Sequence, residues 1–460
     1  MTPNRSLALS FELKSFMRTD LLHNIDSDFP FDLIESHEST VSKKVTRDRV
    51  YNTENTLLTM IVSAFNEDKS LKQSVISFKD VFEFKGVQLR KADDLQLQKA
   101  RELQELASEV KKRGRPKQFL SHLPKSKIKE VSDNTAAYTK ARGRLELGLV
   151  KKVFDYSSDS KGQNGKKWHG MNIAITDGTY FQMQDTEALR KKYFVKEGDN
   201  AYPQGLLQSI IWQGSGQIVS FAIGTRHQSE LELVKPLIEK LPAETLLLAD
   251  DLYSTYAIFC LMKKYNCHII VPGKRERNYR VIKKLAEGDE IVELCKTKKP
   301  DWLSIEVWSQ LDAKITMRRI SYPSLVDENE EWILYTTITS EEIKKEQIIL
   351  KYITRWDIEI TIREIKTIMD INIARSKTED MVLKEITIAL TAYNMARKII
   401  AKSVDKTDFS PQSNFIQKCF ETNQGVLIDK KGRIYQRWST GRYGKAIEPN
   451  QEAANFKKTG

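Results

Sequence analysis

Tyr352, Arg355, Glu359 and Lys366 stand at spacings of three, four and seven residues in the stretch YITRWDIEITIREIK. The stretch holds no Pro or Gly and ends in good helix formers, so one helix is expected through its isoleucines and threonines. At about 100° per residue the four side chains fall within an arc of roughly 60°. One face then carries a phenol, a guanidinium, a carboxylate and an ammonium. A carboxylate between two cations is held ionised, as a metal ligand must be, while the cations receive phosphate oxygens. That is the outline of a phosphodiester site. The same spacing also fits a solvated face with one Arg–Glu pair, a common arrangement that contributes little.

Attack on a phosphodiester needs an activated water or hydroxyl, an in-line geometry and neutralisation of charge on the leaving oxygen. Two divalent ions about 3.5–4 Å apart supply all three. Hard ions such as Mg²⁺ take carboxylate oxygens, so the ligands should be Asp and Glu. Asp177 lies in the middle of an expected strand, Asn172 to Met183, and Asp250 and Asp251 come directly after the short apolar strand Thr245 to Ala249. Side chains alternate along a strand, so only one of these two points at Asp177. Asp250 is preferred, with Asp251 a near-miss ligand or a surface acid. His227 and Glu230 in RHQSE read as a polar pair at a helix start and not as ligands.

The elements that must position these residues are legible in the pattern. Strands at Leu206 to Trp212 and Gln217 to Gly224 flank the turn Gly214-Ser215-Gly216. Ser229 to Leu241 is helical, Tyr253 to Tyr265 returns as a helix, and His268 to Pro272 is another strand. Three hairpin-type strands followed by helix, strand, helix and strand is the order of a ribonuclease-H-like α/β fold. In that fold an acid on the first strand and one at the end of the fourth lie close in space. From Gly273 to about Ile338 the pattern is β-rich without a long helix, and an apolar helix, Met381 to Ile400, comes after the Tyr352 to Lys366 stretch.

Upstream, Glu54 to Phe65 and Ser70 to Phe78 are two helices around a polar turn, which fits a helix-turn-helix or plain packing. Asp93 to Val110 is a charged helix. The segment KKRGRPK, Lys111 to Lys117, carries five cations around one Gly and one Pro. Its Arg113 and Arg115 resemble an AT-hook entering a minor groove; a basic linker with phosphate affinity fits equally. Ser132 or Asp133 should cap a helix to about Val150, with Tyr138, Ala141, Leu145 and Leu149 on one side and Lys140, Arg142 and Arg144 on the other. Ser157 to Lys167 reads as a linker, and a domain boundary is placed there.

The 460 residues suffice for two or more domains, and 74 Lys plus Arg against 62 Asp plus Glu give a formal charge of +12, compatible with a polyanionic partner. Four irregularly spaced cysteines exclude a disulfide framework or a zinc site. No apolar run approaches the roughly 18 residues of a membrane span, and the N-terminus lacks a signal-peptide core. A soluble, intracellular protein with no membrane partner is expected.

The order Tyr, two residues, Arg, three residues, Glu, six residues, Lys resembles the Tyr-Arg-Glu-Lys signature of the hairpin-forming branch of insertion-sequence DDE transposases. The run Ala374 to Arg397 resembles the segment downstream of that signature in the family, and AYTKARGRL resembles a segment of its DNA-binding part. Asp177 sits in a DGT string like the first acidic motif. Asp250-Asp251-Leu252-Tyr253 is similar to the second, departing from it by the extra Asp. The resemblance runs from about Glu54 to Arg397. It implies a ribonuclease-H-like catalytic core in two parts, 168–272 and 339–401, interrupted by a β-rich insertion, 273–338. A mostly helical DNA-binding region, 1–156, would precede it with the basic linker 111–117, and a tail, 402–460, with dimer or DNA contacts would close the chain.

By the same resemblance, Asp177, Asp250 and Glu359 hold two Mg²⁺ ions, with Mn²⁺ as a substitute, and Tyr352, Arg355 and Lys366 bind phosphates near the cleaved bond. Trp302 and Trp308 read first as core aromatics; a Trp of the insertion stacks on a flipped base in that family, and Trp302 is carried as the candidate, with Trp308 left open. The implied cycle is cleavage at inverted-repeat ends, a hairpin intermediate and strand transfer into target DNA, by a homodimer on double-stranded DNA. The alternative is a silent DNA-binding repressor of the same descent, against which three intact acids argue. A carboxylate-paired glycosidase would leave the cation-flanked Glu359 and the basic linker unexplained.

Overall fold

The computed structural model describes residues 29–40, 50–79, 133–158, 167–195, 201–273, 277–323, 331–404, 426–428 and 434–436. The expected helix Asp93 to Val110, the basic segment with Arg113 and Arg115, and nearly all of the tail lie outside the described residues. No described helix is long and apolar enough to cross a membrane. Of the described cysteines, Cys260 and Cys267 are buried free thiols and Cys295 is exposed.

Nine strands form one mixed sheet. β1 (Asn172–Gln182) is flanked by β2 (Gln204–Trp212), and β3 (Ile218–Thr225) pairs outside β2, all antiparallel. On its other side β1 runs parallel to β4 (Thr245–Leu248), and β4 runs parallel to β5 (His268–Pro272). The β-rich stretch then supplies β6 (Tyr279–Ala286), β7 (Asp289–Cys295), β8 (Lys314–Pro323) and β9 (Glu331–Thr336). β9 pairs antiparallel with β5, so the order is β3-β2-β1-β4-β5-β9-β8-β7-β6. The stretch after Gly273 therefore extends the existing sheet. β4 is buried at all four positions, as a central parallel strand covered on both faces must be.

Each face of the sheet has its own core. Alternation along β1 sends Ile173, Ile175 and Phe181 into one and Ala174 into the other. The first core joins the sheet to α1 (Phe31–Thr40), α2 (Thr53–Ser63), α3 (Ala136–Arg144) and α4 (Leu147–Ser157). α5 (Glu187–Lys192) contributes its buried Leu189 to the same core. The second core packs α6 (Glu230–Ile238), α7 (Tyr256–Lys264) and α8 (Ile305–Gln310) against the other face. Tyr138, Ala141, Leu145 and Leu149 are all buried, as their spacing predicts. They belong to two helices and not one, because Leu145 takes an extended backbone between α3 and α4. Thr135, and not Asp133, stands at the start of α3, while Ser132 lies outside the described residues.

A second correction concerns Tyr352 to Lys366. Helix α9 (Lys345–Ile353) ends there, a 3₁₀ turn covers Thr354–Trp356, and α10 (Asp357–Ile368) begins anew. The Thr354 hydroxyl donates to the Lys351 carbonyl at 2.6 Å, the local bond by which threonine competes with helix. Gln213, beside the β2–β3 turn, donates to the Thr354 carbonyl at 3.2 Å and accepts from Lys351 Nζ at 3.3 Å. The turn is thus held from the sheet. α11 (Glu379–Val404) then packs along α4 and α2.

Candidate active site

Asp177 lies on β1 with its side chain on the face of the first core, by alternation with Ile173 and Ile175. Gly178 N–H donates to Asp177 Oδ1 at 2.8 Å. Burial pushes the Asp177 carboxyl up to about 6, Asp250 and Glu359 push the same way, and Gly178 N–H and Arg355 oppose. A strand, a strand end, a turn and a helix therefore bring four of the expected residues into electrostatic reach of one another. Asp251 is not among these neighbours. Asp250 caps the 3₁₀ turn Asp251–Tyr253, its Oδ1 accepting Leu252 N–H at 2.9 Å.

The loop after α10 ties that helix to β1. Gln182 N–H donates to the Asn372 carbonyl at 2.7 Å and Ala374 N–H to the Gln182 carbonyl at 2.8 Å. Between them opens a cleft of about 470 Å³, lined by Asp177, Gly178 and Thr179 from β1 and by Glu359, Ile362, Arg363, Lys366 and Thr367 from α10. Glu359, Arg363 and Lys366 share this face through spacings of four and three. Arg363 is an addition to the expected set; the helix-face argument that selects Lys366 selects it equally. Tyr352, in the last turn of α9, and Arg355, within the 3₁₀ turn, come just before α10. The Arg355 guanidinium lies 6.0 Å from the Tyr352 ring centre, and burial pushes the Tyr352 phenol up to about 12, with Arg355 opposing and Asp250 adding.

Glu230, which the sequence reads as half of a polar pair at a helix start, also reaches this site. Its carboxyl accepts from Tyr253 Oη at 3.0 Å. Burial raises it, Tyr253 opposes, and Asp177 and Asp250 add to the rise. The sequence does carry a signal, an acid at the first helical position after the third strand. Only the packing of α6 shows where it points.

Trp302 and Trp308 pack against the second core, on the sheet face away from Asp177. Lys296 Nζ lies 4.9 Å from the Trp308 ring centre. Trp332 instead packs against the first core and meets Tyr322 edge-on at 6.1 Å; Tyr322 in turn adds to the rise of the Tyr352 phenol. In α3, Lys140 is exposed, Arg142 lies 5.7 Å from the Tyr138 ring centre and Arg144 donates to the Tyr51 carbonyl at 3.4 Å.

The acids form a hard oxygen donor set, the type that suits Mg²⁺ or Mn²⁺. Among the described residues no three of His, Cys, Asp and Glu gather closely enough to hold an ion by themselves. Mg²⁺ characteristically uses one or two carboxylates, with substrate phosphates and waters completing its shell, and the present set fits that mode.

Comparison with known proteins agrees with this chemistry. Residues 168–395 match the family described as "Transposase DDE domain". The chain is 26% identical over 318 residues, 65% of its length and 70% of the relative's, to the transposase InsG for insertion sequence element IS4 of Escherichia coli K12. It is 25% identical over 147 residues, 30% of its length and 49% of the relative's, to the putative transposase InsZ of the same organism. A synaptic complex of piggyBac transposase with hairpin DNA aligns over 90% of this chain and 78% of its own at a TM-score of 0.38 and 10% identity, too loose a likeness to carry argument. Residues 168–395, which span β1 to the greater part of α11, thus form a domain of the DDE transposase family.

Proposed function

We propose that this transposase cuts DNA at the inverted-repeat ends of an insertion sequence, passes through a hairpin intermediate and joins the freed ends to a target, as a homodimer on DNA. The single observation that carries the reading is the cleft that Asp177 of β1 shares with Glu359, Arg363 and Lys366 of α10, with Asp250 and Arg355 in electrostatic reach of Asp177. The strand order β3-β2-β1-β4-β5, with β1, β4 and β5 parallel, supports a ribonuclease-H-like core, and β6 to β9 form its insertion.

Asp177, Asp250 and Glu359 are the residues that would hold divalent ions. Bound there, the ions would activate the attacking hydroxyl and neutralise charge on the leaving oxygen. The chain's own groups do the rest. Arg355 offers a planar donor fork to a phosphate, oriented beside the Tyr352 ring, and Arg363 and Lys366 line the cleft as further phosphate contacts. Trp332, on the face of Asp177, suits the flipped base better than Trp302.

Terminal-repeat DNA incubated with the protein and Mg²⁺ tests this reading. Hairpin-ended product should form, vanish in Asp250→Asn and Glu359→Gln, and persist in Asp251→Asn. Binding without strand scission would point to the repressor, and loss confined to Asp251→Asn would reassign the second ligand.

A further inference from the structure

We propose that Glu230 is a fourth carboxylate of this site, a positioning residue that seats Gly178 and adds its charge to the cation-binding field of Asp177 and Asp250. The inference rests on the metal-dependent function just proposed.

The geometry begins at Gly178. A side-chain carbon built there would stand 2.5 Å from Glu230 Cδ and 2.7 and 2.8 Å from its oxygens, so the carboxylate fills the space a larger residue would need. Gly178 N–H in turn holds Asp177 Oδ1 at 2.8 Å. Glu230 thus bears on the first acid through one residue of backbone.

A buried relay fixes Glu230 from behind. The Thr176 hydroxyl donates to the Ser209 carbonyl at 2.9 Å. Gln208 Nε2 donates to Thr176 Oγ1 at 2.8 Å and to Tyr253 Oη at 2.7 Å. Tyr253 has accepted from Gln208, so its own proton goes to Glu230 Oε2 at 3.0 Å. Thr176, Gln208 and Tyr253 are at most 1% exposed. The donors running from Gln208 through Tyr253 point the same way, and they terminate on an oxygen that must accept. At the first position of α6, behind the Ser229 cap, the helix dipole also favours an anion. Yet Asp177 and Asp250, the charges that face Glu230, repel it. A preorganised anion beside two others gains from a divalent cation in the cleft. Glu230 occupies the space toward which a side chain at Gly178 would point, on the sheet face opposite the Asp177 side chain, so it acts from outside the ligand set.

Mn²⁺ binding to the full-length chain without DNA, followed by electron paramagnetic resonance, tests the idea. Wild type should bind, Asp177→Asn should lose binding, and Glu230→Gln should weaken it at least about tenfold, the usual effect of an outer-shell carboxylate. Tyr253→Phe keeps the charge but frees it, and should weaken binding less, by several-fold. In cleavage assays the Mn²⁺ requirement of Glu230→Gln should rise in the same proportion while kcat at saturating Mn²⁺ is kept, a split that loss of fold would not give. Wild-type affinity in Glu230→Gln, with binding lost in Asp177→Asn, would overturn this inference and leave the proposed function intact. Equal affinity in wild type and Asp177→Asn would overturn that function itself. Should Glu230→Gln fail to fold by circular dichroism, Tyr253→Phe decides, and unchanged affinity there overturns the proposal.

Discussion

Asp177 is a carboxyl that folding penalises. Burial and two neighbouring acids raise it from 3.8 to about 6, so the folded chain binds its proton more tightly than the unfolded chain does. This group's contribution to stability is therefore complete below about pH 4 and declines as pH rises through about 6. The loss amounts to roughly 3 kcal/mol. Denaturant unfolding without divalent ions should show a fall in stability between pH 4 and 7 that Asp177→Asn lacks. An equal fall in that variant would mean that Asp177 is not the titrating group. On the proposed function, activity runs against stability here, because the ionised form that a metal ligand needs is the one the fold alone disfavours.

Helix α10 must hold Glu359 against β1, and a buried ion pair on its opposite side anchors it. Arg397 of α11 donates from Nη2 to Glu364 Oε2 at 2.9 Å. Tyr393 Oη donates to the same oxygen at 2.8 Å and accepts from Arg397 Nε at 2.9 Å. All three side chains are at most 5% exposed. Asn394 also pins α11 to β3, exchanging hydrogen bonds of 2.8 Å with the Ile218 N–H and carbonyl. Arg397→Met leaves the Glu364 charge buried and alone, and should cost about 3–5 kcal/mol in urea unfolding. Glu364→Gln, which keeps an acceptor, should cost less; the reverse order would show that the pair is not what holds α10. This helix is legible as a helix from its residues. Its junction with α9 is not, because the break at Thr354 depends on Gln213, 141 residues earlier in the chain.

At the scale of the molecule, the N-terminal helices and the site share one core. Leu57 and Leu58 of α2, Phe154 of α4, Ile175 of β1 and Ile365 of α10 belong to one buried cluster. A chain beginning at residue 168 would expose the faces of α11 and β3 that α2 and α4 cover. It should be insoluble or lack cooperative unfolding by calorimetry, whereas a soluble fragment melting sharply would show that the two parts are independent. The strands β6 to β9 are tied in as closely. Arg318 of β8 binds Asp289 of β7 in a fork at 2.7 and 2.6 Å and donates to the carbonyls of Ser340 and Ile343 just before α9.

Periodicity and turn residues in the sequence determined the strands β1 to β5, the helices α6 and α7, and three acids at places where such an order brings acids together. Those are local properties, written in side-chain alternation and helix-face spacing. Which acids face one another, that Glu230 joins them, that Trp332 and not Trp302 shares the face of Asp177, and that β6 to β9 lengthen the sheet were decided only by the tertiary structure. Each depends on contacts between residues distant in the chain, such as β5 with β9 or Gly178 with Glu230, and no local pattern encodes which distant surface a side chain will meet.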